Sequence, residues 1–414
     1  MLKLKVYKSV IYNVHKCKIL IIYICNMNEL FDYKKILKDY AQFQNSNFLN
    51  RYIGFKPLED YLQKKILNDF EHEVIGFSEL GNPIYSIKIG NGSKKILIWS
   101  QMHGNESTTT KALLDFINLI KFNSSNDSIR ELLKSCSINI VLMLNPDGSS
   151  NYTRFNANSA DLNRDAVNQT QKETRCFLKY LENLKPDYCF NMHGQRSIFS
   201  AGEHNKPATL SFLAPSYDYD LSINDSRKEA MKLIILANKM LSNFIPGQIA
   251  KYDDAHNPNC FGDHIQKLDI PTVLFEAGHY PGDYDRNISR RYVMLGLLKM
   301  LESITYSNIQ EYNIQDYFKI PNNKELYLDV IIKNVSNTDS SFLGILFNEN
   351  LRNNKIIFQP YIKTKEDLSK FYAHRIINAN HEPIEINGNL SFDINKKINT
   401  LKVGTKFINL NYWE

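Results

Sequence analysis

The stretch KKILIWSQMHGNESTTTKALLDF (residues 94–116) joins an apolar run to an amphipathic one. Its first part has the composition of a buried strand, and from Thr108 the apolar residues recur at helical spacing. The sequence therefore predicts a strand-to-helix corner that carries His103 and Glu106. Residues three apart are neighbours on helical backbone, so both side chains can reach one metal ion. The alternative is a solvated or hydrogen-bonded pair, which occurs by chance in many helices.

Predicted strands and helices alternate on both sides of this corner. Residues 28–70 have the pattern of surface-lying helices, and residues 72–100 that of three strands joined by tight turns. After the helix from Thr108 we predict a strand at 138–144, a helix at 168–184, a strand at 188–193, a helix at 222–244, a strand at 271–278 and a helix at 288–304. This α/β order is typical of a mixed, mostly parallel sheet flanked by helices, with sites at the carboxyl ends of strands.

The chain of 414 residues is long enough for more than one domain. Strand-like segments without long helices follow one another in the last hundred residues, so we expect a smaller all-β, sandwich-like accessory domain at 308–414. Residues 27–307 are then the catalytic domain. We interpret residues 1–26 as a non-structural N-terminal extension, with the folded protein beginning at Met27.

The first 26 residues contain most of the net positive charge and a short apolar stretch. They contain five lysines and no carboxylate, which is most of the net charge of +6, so a nucleic-acid partner is not indicated. Their apolar stretch ILIIYIC is too short to span a bilayer and lacks a small-residue cleavage pattern. The six cysteines form no regular framework, which favours a reducing compartment. We therefore expect a cytoplasmic protein with no membrane or nucleic-acid partner.

Polar side chains stand where the predicted central strands end. His103 ends the first strand, NPDG (145–148) the second, His193 the third and Glu276 the fourth. Because such strand ends converge on one crevice, we expect these side chains to meet. Two histidines and a carboxylate, His103, Glu106 and His193, suit a catalytic zinc ion that keeps a position for water. Glu276 is then a further acid beside the metal.

A polar loop, YTRFNANSADLNRD (152–165), lies between the second and third of these strands. It contains Arg154, Asp161, Asn163 and Arg164. Loops above a rigid sheet gather binding residues, and a guanidinium can grip a carboxylate through two parallel hydrogen bonds. The alternative is that these are surface arginines and that NPDG is an ordinary turn.

The motifs HGNE, NPDG, TRxNAN with DLNRD, a strand-end His and a strand-end FE occur in this order. Together they resemble the M14 family of zinc metallocarboxypeptidases over about residues 72–300. The resemblance implies a zinc carboxypeptidase-like fold and one Zn²⁺ ion per chain. It also implies removal of C-terminal residues from a peptide or protein substrate.

The resemblance further implies a metal site with its base. His103, Glu106 and His193 would hold the zinc ion, and Glu276 would act as the general base. Asp161 would support the first zinc histidine, fixing the tautomer and orientation of its ring.

The same resemblance implies a substrate-binding set. Arg154 falls where the family keeps an arginine that polarises the scissile carbonyl group. Asn163 and Arg164 match the pair that binds the terminal carboxylate of the substrate.

This sequence departs from the family pattern at two places. The family usually has a mobile tyrosine upstream of the base, and here Tyr252 and Tyr280 are candidates while Phe261 stands in the nearest local context. The second departure is HGQR (193–196), which changes the wall of the pocket in an undetermined direction.

Two other functions stay open from the sequence. One is a zinc deacylase of the aspartoacylase and desuccinylase group, which would act on small N-acyl amino acids; NPDG followed by DLNRD favours the peptidase. The other is a non-catalytic binding protein with the β-rich domain making the contacts. That function requires a lost ligand or base, and none is missing here. The partner of the β-rich domain is not identified.

Overall fold

In a computed structural model, the structure describes residues 30–306 and 312–410. The predicted extension at 1–26 and the start at Met27 lie outside the described residues. The chain divides into a short unit that ends at Ala41 and a larger unit from Gln42 onward. None of the described helices is long and apolar enough to cross a membrane.

The short unit contains helix α1 (Tyr33–Lys38). The carboxylate of Asp32 accepts a hydrogen bond of 2.9 Å from the backbone N–H of Lys35 and thereby caps the helix. A 3-10 helix at Tyr40–Gln42 follows.

The larger unit begins with helix α2 (Phe55–Lys65), as the pattern of residues 28–70 predicts. Nine strands follow, interspersed with helices: β1 (Glu71–Phe77), β2 (Pro83–Ile89), β3 (Lys94–Ser100), β4 (Cys136–Val141), β5 (Tyr188–Gly194), β6 (Phe199–Ala201), β7 (Leu210–Leu213), β8 (Ile249–Lys251) and β9 (Thr272–Ala277). All except β6 belong to one sheet with the order β1-β2-β4-β3-β5-β9-β7-β8. The adjacent pairs β4–β3, β3–β5 and β5–β9 are parallel. The pairs β1–β2, β2–β4 and β9–β7 are antiparallel. This arrangement confirms the mixed, mostly parallel sheet.

The remaining elements of this part of the chain are helical: α3 (Thr108–Phe122), α4 (Asp127–Ser135), α5 (Pro146–Asn151), a 3-10 helix (Leu162–Arg164), α6 (Lys172–Leu184), α7 (Asp225–Leu241), α8 (Phe261–Gln266) and α9 (Ser289–Tyr306). Every residue of β4 and β9 is buried, which requires cover on both faces of the sheet. The predicted long helices and central strands are therefore confirmed within a few residues. Strands β6, β7 and β8 and helix α8 are not predicted from the sequence, because runs of three to six residues carry too little periodicity.

The C-terminal part is rich in strands, as predicted. Its elements are α10 (Gln315–Phe318), β10 (Asn323–Glu325), β11 (Tyr327–Lys333), β12 (Phe342–Arg352), β13 (Lys355–Thr364), β14 (Tyr372–Asn378), β15 (Ile384–Ile386), β16 (Leu401–Val403) and β17 (Lys406–Phe407). A four-stranded sheet, β13-β12-β11-β14, and a three-stranded sheet, β15-β16-β17, are formed. Val330 and Ile345 of the first share one buried apolar cluster with Ile386 and Leu401 of the second. This shared core gives the region its sandwich-like character.

Strand pairing links the C-terminal part to the rest of the larger unit. Strand β10 pairs antiparallel with β6, which follows the third central strand of the main sheet. Residues from Gln42 onward accordingly form one compact unit. The domain limits 27–307 and 308–414 stay a prediction.

Candidate active site

A sharp turn after β3 places His103 and Glu106. Gln101 takes a left-handed backbone conformation with φ of +49°. Its buried side-chain amide donates hydrogen bonds of 2.9 Å to the carbonyl groups of Ile53 and Gly104, which hold the turn in place. The backbone N–H of Glu106 donates to the carbonyl of His103 at 3.1 Å. The corner is thus one tight turn before α3, and it brings the two side chains together as predicted.

The NPDG segment packs against this corner and supports it. A Cβ atom at Gly104 would lie 2.0 Å from the carbonyl carbon of Gly148, so the backbones meet where only glycine fits. The Asn145 side chain accepts a hydrogen bond from the N–H of Gly148 at 2.8 Å and donates to the carbonyl of Met102 at 3.1 Å. NPDG is therefore the capped start of α5 that fixes the turn, and the ordinary-turn alternative is wrong.

His103, Glu106 and His193 meet in a group whose ligand atoms all lie within 4.8 Å of one another. The Glu106 carboxylate stands between the rings: Oε1 is 2.8 Å from Nδ1 of His103, and Oε2 is 3.0 Å from Nδ1 of His193. Strand β5 supplies His193, and Gly194 next to it donates its N–H to Oε2 of Glu106 at 3.0 Å. Both Nδ1 atoms and one carboxylate therefore point to one place.

The protonation of the His103 ring indicates whether a cation fits this group. Its Nε2 atom lies 3.1 Å from Oδ1 of Asp161, and a carboxylate there requires the N–H on Nε2. A neutral ring then has a lone pair on Nδ1, which would face the Glu106 carboxylate without a proton between them. The contact between Nδ1 of His103 and Oε1 of Glu106 is favourable only if Nδ1 carries a second ring proton or if a cation lies between the two atoms. Two imidazole nitrogens and a carboxylate are the donor set of a catalytic zinc site, so the residues fit the ion.

The charges of this group reinforce one another. Burial opposes ionisation of Glu106, yet the two histidines hold the pKa of its carboxyl below the usual value. Burial likewise opposes protonation of His103, but Glu106 and Asp161 raise the pKa of its ring. Burial lowers the pKa of His193. The carboxylate of Glu106 therefore stays ionised at neutral pH, as a metal ligand must.

Glu276 lies beside the group but takes no part in it. Strand β9 places it opposite His193 in the register of the β5–β9 pair. Its Oε2 atom is buried and has no hydrogen-bond partner among residues 30–306 and 312–410. Burial, with the nearby charge of Glu106, raises the pKa of its carboxyl well above the usual value. A carboxyl group held in this way is suited to exchanging a proton.

Arg154 reaches the metal-ligand group from the loop 152–165. Its Nε and Nη2 atoms contact Oδ2 of Asp161 at 3.0 and 2.9 Å. Its Nη1 atom lies 3.3 Å from Nδ1 of His103 and 3.6 Å from Oε1 of Glu106. Asp161 thus holds both the His103 ring and this guanidinium.

Asn163 and Arg164 line a cavity of about 410 Å³ next to the same group, together with His103, Arg154, His193 and Glu276. The Asn163 side-chain oxygen accepts the N–H of Phe261 at 2.9 Å. Nη1 of Arg164 contacts the carbonyl of Asn163 at 2.7 Å and the sulfur of Cys260 at 3.1 Å. The guanidinium of Arg164 is exposed and faces the cavity. The structure therefore brings every predicted site residue to one place.

Of the two candidate tyrosines, Tyr252 is the one that lies at the cavity. It lines the cavity with Glu276, whereas Tyr280 packs against Tyr292 with ring centroids 6.2 Å apart. Phe261 is fully buried in the apolar core. Burial and the charge of Glu276 raise the pKa of Tyr252 to about 12, so its hydroxyl keeps its proton. Local sequence context favoured Phe261, because the position of Tyr252 depends on strand β8 just before it, which is three residues long.

The HGQR departure also has a structural explanation. The buried Gln195 amide donates to the carbonyl of Ala208 at 2.8 Å and accepts from the side chain of Asn323 at 2.7 Å. It therefore joins the strand of the third candidate ligand to the C-terminal part. Arg196, the next residue, is exposed and lines a second cavity. No sequence signal links these residues to Asn323, which is 128 positions away.

Residues 59–233 match the family described as zinc carboxypeptidase. The match contains the HGNE, NPDG and DLNRD motifs and His193, and it ends before Glu276. Carboxypeptidase SOL1 of Arabidopsis thaliana is 29% identical over 137 residues, which are 29% of this chain and 28% of that protein. Gamma-D-glutamyl-L-diamino acid endopeptidase 1 of Lysinibacillus sphaericus is 38% identical over 80 residues, 18% of this chain and 20% of that protein. The aligned parts thus span less than a third of either relative.

Solved structures show the same fold. Bovine thrombin-activatable fibrinolysis inhibitor, solved in complex with tick carboxypeptidase inhibitor, superposes with a TM-score of 0.52 at 16% identity, covering 64% of this chain and all of that one. A metallo-carboxypeptidase from Burkholderia cenocepacia gives a TM-score of 0.50 at 16% identity, covering 63% and 70% of the two chains. At such identity the likeness concerns the fold, and the roles of individual residues rest on their geometry.

Proposed function

We propose that this chain, whose residues 59–233 match the zinc carboxypeptidase family, is a zinc-dependent hydrolase that removes C-terminal residues from peptides. One observation carries the proposal. The group of His103, Glu106 and His193 lies beside Glu276, whose buried Oε2 atom has no hydrogen-bond partner in the described chain, at the edge of a cavity lined by Asn163 and Arg164.

The proposed metal ligands are His103, Glu106 and His193, with Asp161 holding the His103 ring. When bound, a zinc ion lowers the pKa of a coordinated water toward ~7 and polarises a carbonyl group. The ring of His103 cannot rotate away, because contacts on both nitrogens fix it.

Glu276 is the proposed general base. Its unpartnered carboxylate oxygen can take a proton from the water that attacks the scissile carbonyl. The same carboxyl group can then give that proton to the amine that leaves. The Nη1 atom of Arg154 lies 3.3 Å from Nδ1 of His103, where the guanidinium can stabilise the oxyanion that develops.

Asn163 and Arg164 are proposed to bind the terminal carboxylate of the substrate. The Arg164 guanidinium donates a hydrogen bond to the carbonyl of Asn163 through Nη1, and it is exposed to the cavity. The side-chain oxygen of Asn163 is engaged by the backbone of Phe261, which orients its amide. A substrate with a free C-terminus would place its carboxylate here and its last peptide bond beside Glu276.

Matched peptides with free and amidated C-termini test this function. We expect the purified, zinc-loaded protein to release single C-terminal residues from the free peptides and to leave the amidated ones intact, as followed by mass spectrometry. Hydrolysis of both at equal rates would contradict carboxypeptidase action. Release of acyl groups from small N-acyl amino acids, with peptides untouched, would identify a deacylase instead.

A further inference from the structure

A second cavity, of about 690 Å³, adjoins the first at the candidate ligand group. Arg154, Tyr252 and Glu276 line both cavities, so the scissile bond of the proposed reaction lies at their junction. The first cavity contains the pair proposed for the terminal carboxylate and accommodates the leaving residue. The second must therefore take the acyl part of the substrate. This inference rests on the proposed function for the direction in which the substrate lies.

The outer wall of the second cavity comes from the C-terminal strands. Glu325 ends β10, Asp329 lies on β11, and Phe347, Asn348 and Glu349 lie on β12. These residues are remote in sequence from the candidate ligands. The C-terminal part thus contributes directly to the cleft.

Side-chain hydrogen bonds hold this wall in position. Arg51 contacts Glu349 through Nε and Nη2 at 3.3 and 3.2 Å, and the hydroxyl of Tyr152 donates to the same carboxylate. Asp329 is buried and accepts hydrogen bonds from Ser197 at 3.0 Å and from Tyr284 at 2.7 Å. The wall is therefore fixed before any substrate arrives.

The charges of the cavity leave one cation available to a ligand. Arg51 is paired with Glu349, and Arg154 is paired with Asp161. Arg196 has no hydrogen bond or ion pair with any residue that the structure describes, and its side chain is exposed at the cavity. Glu325, also exposed at this cavity, lies opposite Phe199 in the β6–β10 pair, so an anionic ligand is favoured next to Arg196 and disfavoured next to Glu325.

We propose that the second cavity is a subsite for the acyl part of the peptide substrate, that the C-terminal strands form its outer wall, and that Arg196 selects a carboxylate side chain there. The preferred substrates are then peptides with an acidic residue upstream of the scissile bond. A guanidinium recognises a carboxylate by paired hydrogen bonds as well as by charge, which separates Glu from Gln.

Binding tests the charge selection without requiring turnover. Fluorescently labelled pentapeptides with Glu or Gln at each of the three positions upstream of the last bond are titrated into Glu276→Gln protein, and the anisotropy gives Kd. We expect Glu to bind about fivefold more tightly than Gln at one position, since the pair is solvent-exposed. The additional substitution Arg196→Gln should bring that ratio to about one, whereas Arg130→Gln, at an exposed position of α4, should leave the ratio unchanged. Equal Kd values for Glu and Gln peptides, or a ratio that survives Arg196→Gln, would overturn the selection.

A second variant tests the wall. Asn348→Trp places a large side chain in the cavity from its exposed strand position, and Glu366→Trp, outside both cavities, is the matched control. We expect Asn348→Trp to weaken pentapeptide binding at least tenfold. The affinity for the free amino acid that hydrolysis would release, which occupies only the first cavity, should stay unchanged. Undiminished peptide affinity in Asn348→Trp protein of wild-type Tm would show that the strands do not contact substrate. If wild type hydrolyses none of these peptides but still binds the Glu peptides more tightly, the proposed hydrolysis is wrong and the subsite stands.

Discussion

The Nε2 atom of His103 lies 3.1 Å from Oδ1 of Asp161, on the side of the ring that faces away from Glu106. This contact places the ring proton on Nε2, and the lone pair of Nδ1 then faces Glu106, where a cation would bind. Asp161 also holds Arg154 through its second oxygen, so one carboxylate orients two groups of the proposed site.

Replacing Asp161 should weaken zinc binding more than it disturbs the fold. In Asp161→Asn the acceptor loses its charge, and we expect zinc affinity to fall by roughly tenfold or more. Competition with a chromophoric chelator measures this affinity directly. Asp253→Asn, which changes a carboxylate in the same cavity but away from the ligand contacts, is the control. Unchanged affinity in Asp161→Asn would remove the aspartate from the metal site.

Replacing Glu276 should separate metal binding from hydrolysis. Glu276→Gln keeps the shape of the side chain and removes its ability to take a proton, so we expect the rate to drop by about 10²–10⁴. The zinc content, measured by elemental analysis, should stay at one ion per chain. Glu366→Gln makes the same change at an exposed site and should be neutral. Wild-type turnover in Glu276→Gln would exclude it as the base.

Replacing Tyr252 identifies the tyrosine that acts in the site. Its pKa of about 12 keeps the hydroxyl protonated at neutral pH, so it can donate a hydrogen bond to substrate. We expect Tyr252→Phe to lower kcat/KM by up to about tenfold, the value of one net hydrogen bond. Tyr280→Phe, which removes a hydroxyl outside the cavity, should not change it. A larger loss in the Tyr280 variant would reverse the assignment.

Replacing Arg164 tests how the terminal carboxylate is read. The guanidinium is exposed, so its loss should cost less than that of a buried cation, and we expect Arg164→Ala to raise KM for free peptides about tenfold. The preference for free over amidated peptides should shrink by the same factor. Arg130→Ala is the control for charge. An unchanged preference in Arg164→Ala would place carboxylate recognition elsewhere.

A buried ion pair joins α3 to α9, and we expect it to contribute strongly to the free energy of unfolding. Arg290 and Asp115 are fully buried, and Nε of Arg290 lies 2.6 Å from Oδ2 of Asp115. Asp115→Ala leaves the guanidinium without this carboxylate, so we expect the free energy of unfolding to fall by about 3–5 kcal/mol. Asp127→Ala, at an exposed pair, should cost under ~1 kcal/mol. Urea unfolding measures both, and equal effects would contradict the role of burial.

Sequence patterns predicted those parts of the site that stand at the ends of long elements. His103 follows β3, and His193 and Glu276 lie near the ends of β5 and β9, so the strand pattern predicts all three at one edge of the sheet. Tyr252 follows a strand of three residues, too short to register as a periodic signal. Glu349 faces the cleft only because a separate sheet packs beside it, 298 positions from Arg51. Contacts of that range leave no trace in local periodicity.

The pairing of Arg51 with Glu349, and of β6 with β10, has a consequence for how such a chain can change over time. A substitution of Glu349 leaves the nearly buried guanidinium of Arg51 without its carboxylate partner. The C-terminal part and the rest of the larger unit therefore each restrict the residues that the other can accept. The two parts are expected to be inherited together, and a chimaera that joins them from two distant homologues should fold poorly unless both contacts are restored.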